Sequence, residues 1–383
     1  MDVFYLRRAI ERLRDGLFDS VAVKRLTVEE EHVEKYFSEG LKTLEKEKAD
    51  HLCICGSYGQ GKSHTLTHLN QQALSQGYAT SLVQLDLREI PFHQFSVVYQ
   101  SLMEKLCLPD GEKFATAWKK CGDKKFLELL DAMPHRFRML LTAMLCKNQP
   151  IPQKQKSLKK PKNYQPKKSS DWLERALIGH DLPVAHLKNI LKDRDIEGYK
   201  KESLNCRGNP PYIQMIQALG KLLKEMGYKG LVLFFDEAES ITQGRVNNRA
   251  KSYEILDQFF QSKESVYPVF AFTDDFFDKV DHEQYHDDTK EKQLFSQDYA
   301  QAWKNLTIAR LKKFSSGGWE VLQNRLIQLY SEAYQIDLSN QMIGIKERLQ
   351  NLIDKYQNQE TRFKLKALVN QLDIETQRYL LDV

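Results

Sequence analysis

The sequence predicts an α/β fold in which helices cover both faces of a parallel five-stranded sheet, with a helical insertion and a C-terminal helical lid domain. Three observations predict it. Continuous apolar strands alternate with helices between residues 51 and 310, the pattern of a sheet buried on both sides. The first of those strands runs directly into a glycine-rich turn that opens a helix. From Ser316 to Val383 the pattern is purely helical.

The elements follow in order. Residues 3–49 read as two helices, the first with a stripe of Phe4, Ile10, Leu13 and Leu17, the second starting at Thr27 with an acid-rich first turn. The strand HLCIC (51–55) precedes the helical SHTLTHLNQQAL, and SLVQLDL (81–87) is a second strand followed by a helix over 93–106. Residues 125–145 predict a buried helix pair with Pro134 at the junction. Residues 148–170 hold four prolines and no apolar periodicity, which predicts a mobile loop. Asp171 has the spacing of a helix N-cap. A helix over 211–227, a strand over 230–237, a helix over 248–262 and strands over 267–273 and 305–310 complete the core. The expected organisation is therefore an N-terminal helical segment (1–49), a core formed by 50–108 and 206–315, a helical insertion (109–205) and a lid (316–383).

At 41% hydrophobic and 28% charged, 383 residues can bury a substantial core, which excludes wholesale disorder. No run of about 18 uninterrupted apolar residues occurs, so no membrane helix is expected. The amphipathic, acid-containing N-terminus lacks the features of a secretory leader. The six cysteines show no CxxC spacing or His/Cys cluster and suit free thiols in a reducing cytoplasm. The net charge of +5 conceals an asymmetry, because ten of the 57 Lys and Arg fall between Ala132 and Ser170, where there is no acid. Without that stretch, 47 bases face 52 acids. Eight bases lie within 147–170, and this loop is the candidate for DNA contact. The preponderance of lysine there implies backbone contact rather than sequence reading. A solvated loop, or one that docks an acidic protein, is the alternative.

Two motifs carry the chemistry. Residues Gly56, Ser57, Tyr58, Gly59, Gln60, Gly61, Lys62 and Ser63 fit G-x-x-x-x-G-K-[ST], the Walker A loop, in the strand-to-helix context it requires. Glycines let successive N–H groups surround an anion, and the helix start adds the positive end of its dipole. Lys62 is expected to reach the β- and γ-phosphates of ATP, and the Ser63 hydroxyl to ligate Mg2+. LVLFFDE (231–237) supplies a Walker B strand, with Asp236 holding the Mg2+ hydration shell and Glu237 placed as general base. The predicted fold is thus a P-loop NTPase of ASCE/AAA+ type. In ATPases of this strand order, the strand ending at Thr273 lies between the other two. Thr273 is then either a polar sensor of the γ-phosphate or the cap of the next turn. A positive charge for the transition state could come from Arg362, Arg245, Arg249 or Arg310. Lys304 stands where many AAA+ proteins have an arginine finger.

The chain resembles the P-loop ATP-binding proteins of BREX-type anti-phage systems. The likeness rests on AIERLRDGLFDSVAVKRLTV (9–28), on GSYGQGKSHTL, where His64 follows the loop, on blocks in 84–102, on DWLERALIG (171–179), on FFDEAESI…RAKSYEIL (234–256), and on TRFKLKALVNQLD (361–373), which bears Arg362. The resemblance implies an AAA+-like ATPase in a multi-protein defence assembly, cytoplasmic and acting on or near DNA. It implies for Lys62, Ser63, Asp236 and Glu237 the roles already derived. Two further readings stand beside a hydrolysing switch or motor. One is a nucleotide-dependent scaffold with little turnover; the other is a small-molecule kinase. Homo-oligomerisation, or a finger supplied by a partner, would complete a site that lacks its own arginine.

Overall fold

The structure is a computed structural model that describes residues 2–17, 19–48, 50–121, 129–146, 169–200, 202–261, 265–285 and 294–381. Three helices, rather than two, precede the first strand: α1 (Val3–Arg14), α2 (Ser20–Leu26) and α3 (Glu31–Glu45). The extra break comes from capping. The Asp19 carboxylate accepts the Val21 amide at 2.8 Å and also pairs with Arg8 at 3.0 Å, so a new helix starts where apolar periodicity alone runs on. Leu6, Ala9, Ile10 and Leu13 form the buried face of α1, while Phe4 and Leu17 of the predicted stripe stand exposed.

The core then runs β1 (Leu52–Cys55), α4 (Lys62–Ser75), β2 (Ala79–Gln84) and α5 (Phe95–Glu104). It continues with α6 (Phe114–Cys121), α7 (His135–Leu145), α8 (Ser169–Ile178) and α9 (Val184–Asp193). Pro134 is the N-cap of α7, where its fixed φ and missing N–H cost nothing. Because α8 begins at Ser169, Asp171 sits inside its first turn rather than capping it. The basic loop expected at 147–170 lies outside the described residues up to 168. The chain returns through α10 (Pro210–Glu225), β3 (Leu231–Asp236), α11 (Val246–Phe260), β4 (Val266–Phe272), α12 (Phe276–Tyr285), the short α13 (Tyr299–Ala302) and β5 (Ile308–Arg310). It ends in α14 (Ser316–Tyr334), α15 (Met342–Lys355) and α16 (Thr361–Leu381).

The five strands form one parallel sheet in the order β2-β3-β4-β1-β5. As expected from the sequence, β4 lies between β1 and β3, with Leu52 opposite Val269 and Phe235 opposite Phe270. Every residue of β1, β3 and β4 is buried. Alternation assigns the two faces. Cys53, Cys55, Leu233, Phe235, Phe270 and Phe272 join the larger core, which continues through Tyr99 into Trp118, Phe137 and Leu187 of the inserted helices. Leu52, Ile54, Val232, Phe234, Val269 and Ala271 face α3 and α4.

A third core joins the two ends of the chain. Leu6, Ile10 and Leu13 of α1 pack with Leu326 and Tyr330 of α14 and with Leu368 and Leu372 of α16. Arg14 donates to both oxygens of Asp373, at 2.8 and 2.9 Å, and the Tyr330 hydroxyl donates to the same carboxylate at 2.9 Å. Residues 1–49 thus divide: α1 and α2 belong with the C-terminal helices, and α3 belongs with the sheet.

Candidate functional site

β1 delivers the chain to the C-terminal edge of the sheet, where Gly56 donates its amide to the Phe272 carbonyl at 3.2 Å. The next five residues fold over that edge before α4 begins. Gly59 has φ +71° and Gly61, which is the N-cap of α4, has φ +112°. These left-handed values turn the loop back on itself and leave the first amides of α4 without helical acceptors. Gln60 braces the loop from inside. Its carboxamide oxygen accepts the Ser57 amide at 2.7 Å, and its nitrogen donates to the Leu311 carbonyl at 2.9 Å. The Ser57 hydroxyl donates to Asp274 at 2.8 Å, and Asp274 in turn pairs with Arg310 at 3.5 Å. The loop is therefore tied to the ends of both strands that flank β1.

The Lys62 side chain is buried and folds back across the loop, with Nζ 3.0 Å from the Gly56 carbonyl and 3.4 Å from that of Ser57. Its third neighbour is Glu239, at 3.6 Å. The Ser63 hydroxyl faces the Asp236 carboxylate at the end of β3 and favours its charged form, and the Glu237 amide donates to Asp236 at 3.0 Å. The two motifs, 173 positions apart from Ser63 to Asp236, meet at one point.

Burial pushes the Asp236 carboxyl above its ordinary value, against the pull of the Ser63 hydroxyl, the Glu237 amide and Lys62. Burial and the neighbouring Asp236 push Glu237 up, while Lys62 and Arg362 pull it down. Glu237 is a non-glycine residue at φ 56°, which swings its side chain out of the strand line and into the lining of the cavity.

The C-terminal helices close the other side. The Arg362 amide donates to the Gly59 carbonyl at 3.2 Å, and its guanidinium reaches the Tyr58 hydroxyl at 3.3 Å and lies 5.8 Å from the Tyr58 ring centre. One cavity runs from the loop, Lys62, Ser63, His64, Glu237 and Arg362 to an apolar end built by α1, α2, α14 and α16, with Leu13, Leu26, Leu322 and Leu365 among its walls. His64 lies on this boundary. The Thr27 hydroxyl donates to the Val23 carbonyl at 2.7 Å, so its contact with His64 Nε2 at 2.9 Å requires the imidazole to donate from Nε2. Burial, reinforced by His68, pushes that imidazole down to about 4.

The other candidates are distributed differently. Thr273 follows β4 beside Gly56, and the Asp275 carboxyl after it is held low by Lys279 and by Thr273. Arg249 is committed to Glu283 and to the Gly244 carbonyl, the latter at 2.8 Å. Arg245 is exposed at the start of α11, Arg310 is engaged by Asp274, and Lys304 bonds Gln301 at 2.6 Å. Of the basic candidates, Arg362 is the one that lines the cavity.

Two participants, Glu239 and Glu30, escaped the sequence reading, as did the bracing role of Gln60 within the loop it does mark. Glu239 lies three residues after Asp236 in the run DEAE, a spacing that could have flagged it. Gln60 occupies a variable position of the motif, so its bracing role has no sequence signal. Glu30, which accepts from the Thr65 hydroxyl at 3.0 Å and is pushed up to about 6 by burial, comes from a distant helix boundary.

Among the described residues no group of three or more His, Cys, Asp or Glu side chains could enclose a metal ion. One hydroxyl and one carboxylate, Ser63 and Asp236, are instead the partial set that suits Mg2+, which keeps waters and takes phosphate oxygens. The residues fit that ion. Fold and site define an α/β protein with an all-parallel five-stranded sheet, compatible with a P-loop NTPase. The family model described as BREX system ATP-binding protein BrxC/D matches residues 6–118 and 208–382, and the chain belongs to that family. The interval between the matched stretches carries α7, α8 and α9. No curated protein matches the chain. No helix among the described residues is long and apolar enough to cross a membrane.

Proposed function

We propose that the chain is a P-loop ATPase of ASCE/AAA+ type, which binds Mg·ATP between the sheet edge and a C-terminal helical lid. Hydrolysis would make it a switch or motor in a DNA-associated anti-phage defence assembly. The observation that carries this reading is the meeting of Lys62, Ser63 and Asp236 beneath a loop whose left-handed turn at Gly61 leaves the first amides of α4 without helical acceptors. The position of β4 between β1 and β3 supports the ASCE assignment.

In this reading the loop amides from Tyr58 to His64 and the Lys62 ammonium hold the phosphates, Ser63 and Asp236 hold Mg2+, and the apolar end of the cavity takes the base. Bound magnesium supplies charge neutralisation across the β- and γ-phosphates. Glu237 orients the attacking water and accepts its proton. Its raised affinity for protons, from burial and Asp236, makes it a stronger base than a solvated glutamate. Arg362 supplies positive charge from the lid, and Thr273 is the candidate polar sensor.

Single-turnover ATP hydrolysis tests the reading. Glu237→Gln should retain nucleotide and lose turnover by roughly 10²–10⁴-fold, whereas Lys62→Ala should lose binding. Wild-type protein without turnover, in the presence of DNA and partner proteins, would leave the scaffold reading. The direct bond between Arg362 and Gly59 favours that second reading, because bound nucleotide would there join the sheet to the C-terminal helices.

The partners follow from family membership and from charge. Action with other defence-system proteins in the cytoplasm is the setting, and the basic stretch 147–170 is the proposed DNA contact. Replacing its lysines should weaken DNA binding and flatten its salt dependence. Unchanged affinity and slope would remove the loop from the interface. Mass measurement with and without ATP tests whether a neighbouring copy completes the site.

A further inference from the structure

Glu239 is absent from the roles assigned above, yet it is nine-tenths buried against the Lys62 ammonium. One carboxylate oxygen lies 3.6 Å from Lys62 Nζ, and the other is buried with no hydrogen-bond partner. A buried carboxylate so poorly served by hydrogen bonds depends on its counter-ion. Lys62 is also engaged by the Gly56 and Ser57 carbonyls, so three oxygen atoms hold the ammonium.

We propose that Glu239 is a positioning residue that holds Lys62 on the loop, competes for it with nucleotide phosphates, and draws it back when product leaves. The inference rests on the nucleotide-site reading above. A lysine that reaches toward a phosphate must loosen its hold on Glu239, and the carboxylate left behind repels the polyphosphate. Glu239 therefore lowers nucleotide affinity and speeds release. This is the reverse of what a merely structural residue would do, because loss of packing weakens binding.

The test is calorimetric titration of wild type, Glu239→Gln and Glu239→Asp with ADP and with a slowly hydrolysed ATP analogue, each with Mg2+. Glutamine keeps the shape and removes the charge, so binding should tighten by about tenfold for both nucleotides. Aspartate keeps the charge but withdraws it by one methylene, so it should tighten binding by a smaller factor. This second variant carries the test if glutamine fails to fold. In steady-state hydrolysis, Glu239→Gln should lower KM and kcat together, because product release slows. Unchanged or weaker binding in folded variants, with wild type binding normally, overturns the role of Glu239 and leaves the site intact. Wild-type protein that binds no nucleotide overturns the site and this inference with it.

Discussion

Replacing Gly61 with alanine isolates the contribution of the backbone to the phosphate loop. Its φ of +112° lies beyond the left-handed helical values that other residues adopt, and an added Cβ would meet no heavy atom within 4 Å. The cost is therefore conformational, with no steric part. Holding an L-residue left-handed costs roughly 1–2 kcal/mol, which corresponds to about five- to thirtyfold in an equilibrium constant. That cost divides between folding and binding according to how far the loop relaxes before nucleotide binds. The sum of the loss in unfolding free energy and the loss in nucleotide binding energy should be at least that large, because φ here is wider than the left-handed helical value. Gly59→Ala supplies the contrast, since its Cβ would collide with the Glu360 carboxylate. Adding Glu360→Ala should rescue part of the Gly59→Ala defect and none of the Gly61→Ala defect. Thermal unfolding and calorimetric ATP titration measure both terms. Wild-type stability together with wild-type affinity in Gly61→Ala would refute the claim that the loop needs this backbone shape.

Other perturbations reach beyond the loop. Asp373→Ala removes the carboxylate that receives Arg14 and the Tyr330 hydroxyl. Its charge-assisted bonds are worth about 1.5–3 kcal/mol each before solvent screening, and Arg14 is partly exposed. A net loss near 2 kcal/mol is therefore expected in chemical denaturation, and no loss would detach α1 from the account of how the C-terminal helices are held. Glu30 has a folded value of about 6, pushed up by burial, against an ordinary 4.5. An acid raised on folding is a penalty that is absent below its unfolded value and complete above its folded one. Glu30→Gln should therefore gain stability over wild type as pH rises from 4.5 through 6, and a difference that stays flat across this window would contradict the burial argument.

Much of this protein is legible from its sequence because the signals are local. A buried strand needs a continuous apolar run, and LVLFFDE and YPVFAF supply it. A phosphate loop needs glycines at fixed spacing, so Gly59, Gly61 and Lys62 stand out without any tertiary information. The break between α1 and α2 was missed because a capping Asp19 resembles any exposed acid until its partners are known. The arginine remained one of several candidates for a related reason. Arg249 and Arg362 look alike in one dimension, and only packing commits the first to Glu283 and brings the second to Gly59.

The sequence by itself determined the glycine loop, the order of strands and helices through the core, and the identity of Asp236 and Glu237 as the acids ending the third strand. These depend on spacing within a few residues, where backbone geometry leaves few alternatives. Only the tertiary structure decided that Glu239 faces Lys62, that Gln60 links the loop to Leu311, and that α1 and α2 join α14 to α16. Those contacts unite positions far apart in the chain, and their partners are set by how apolar faces fit against one another rather than by any local pattern.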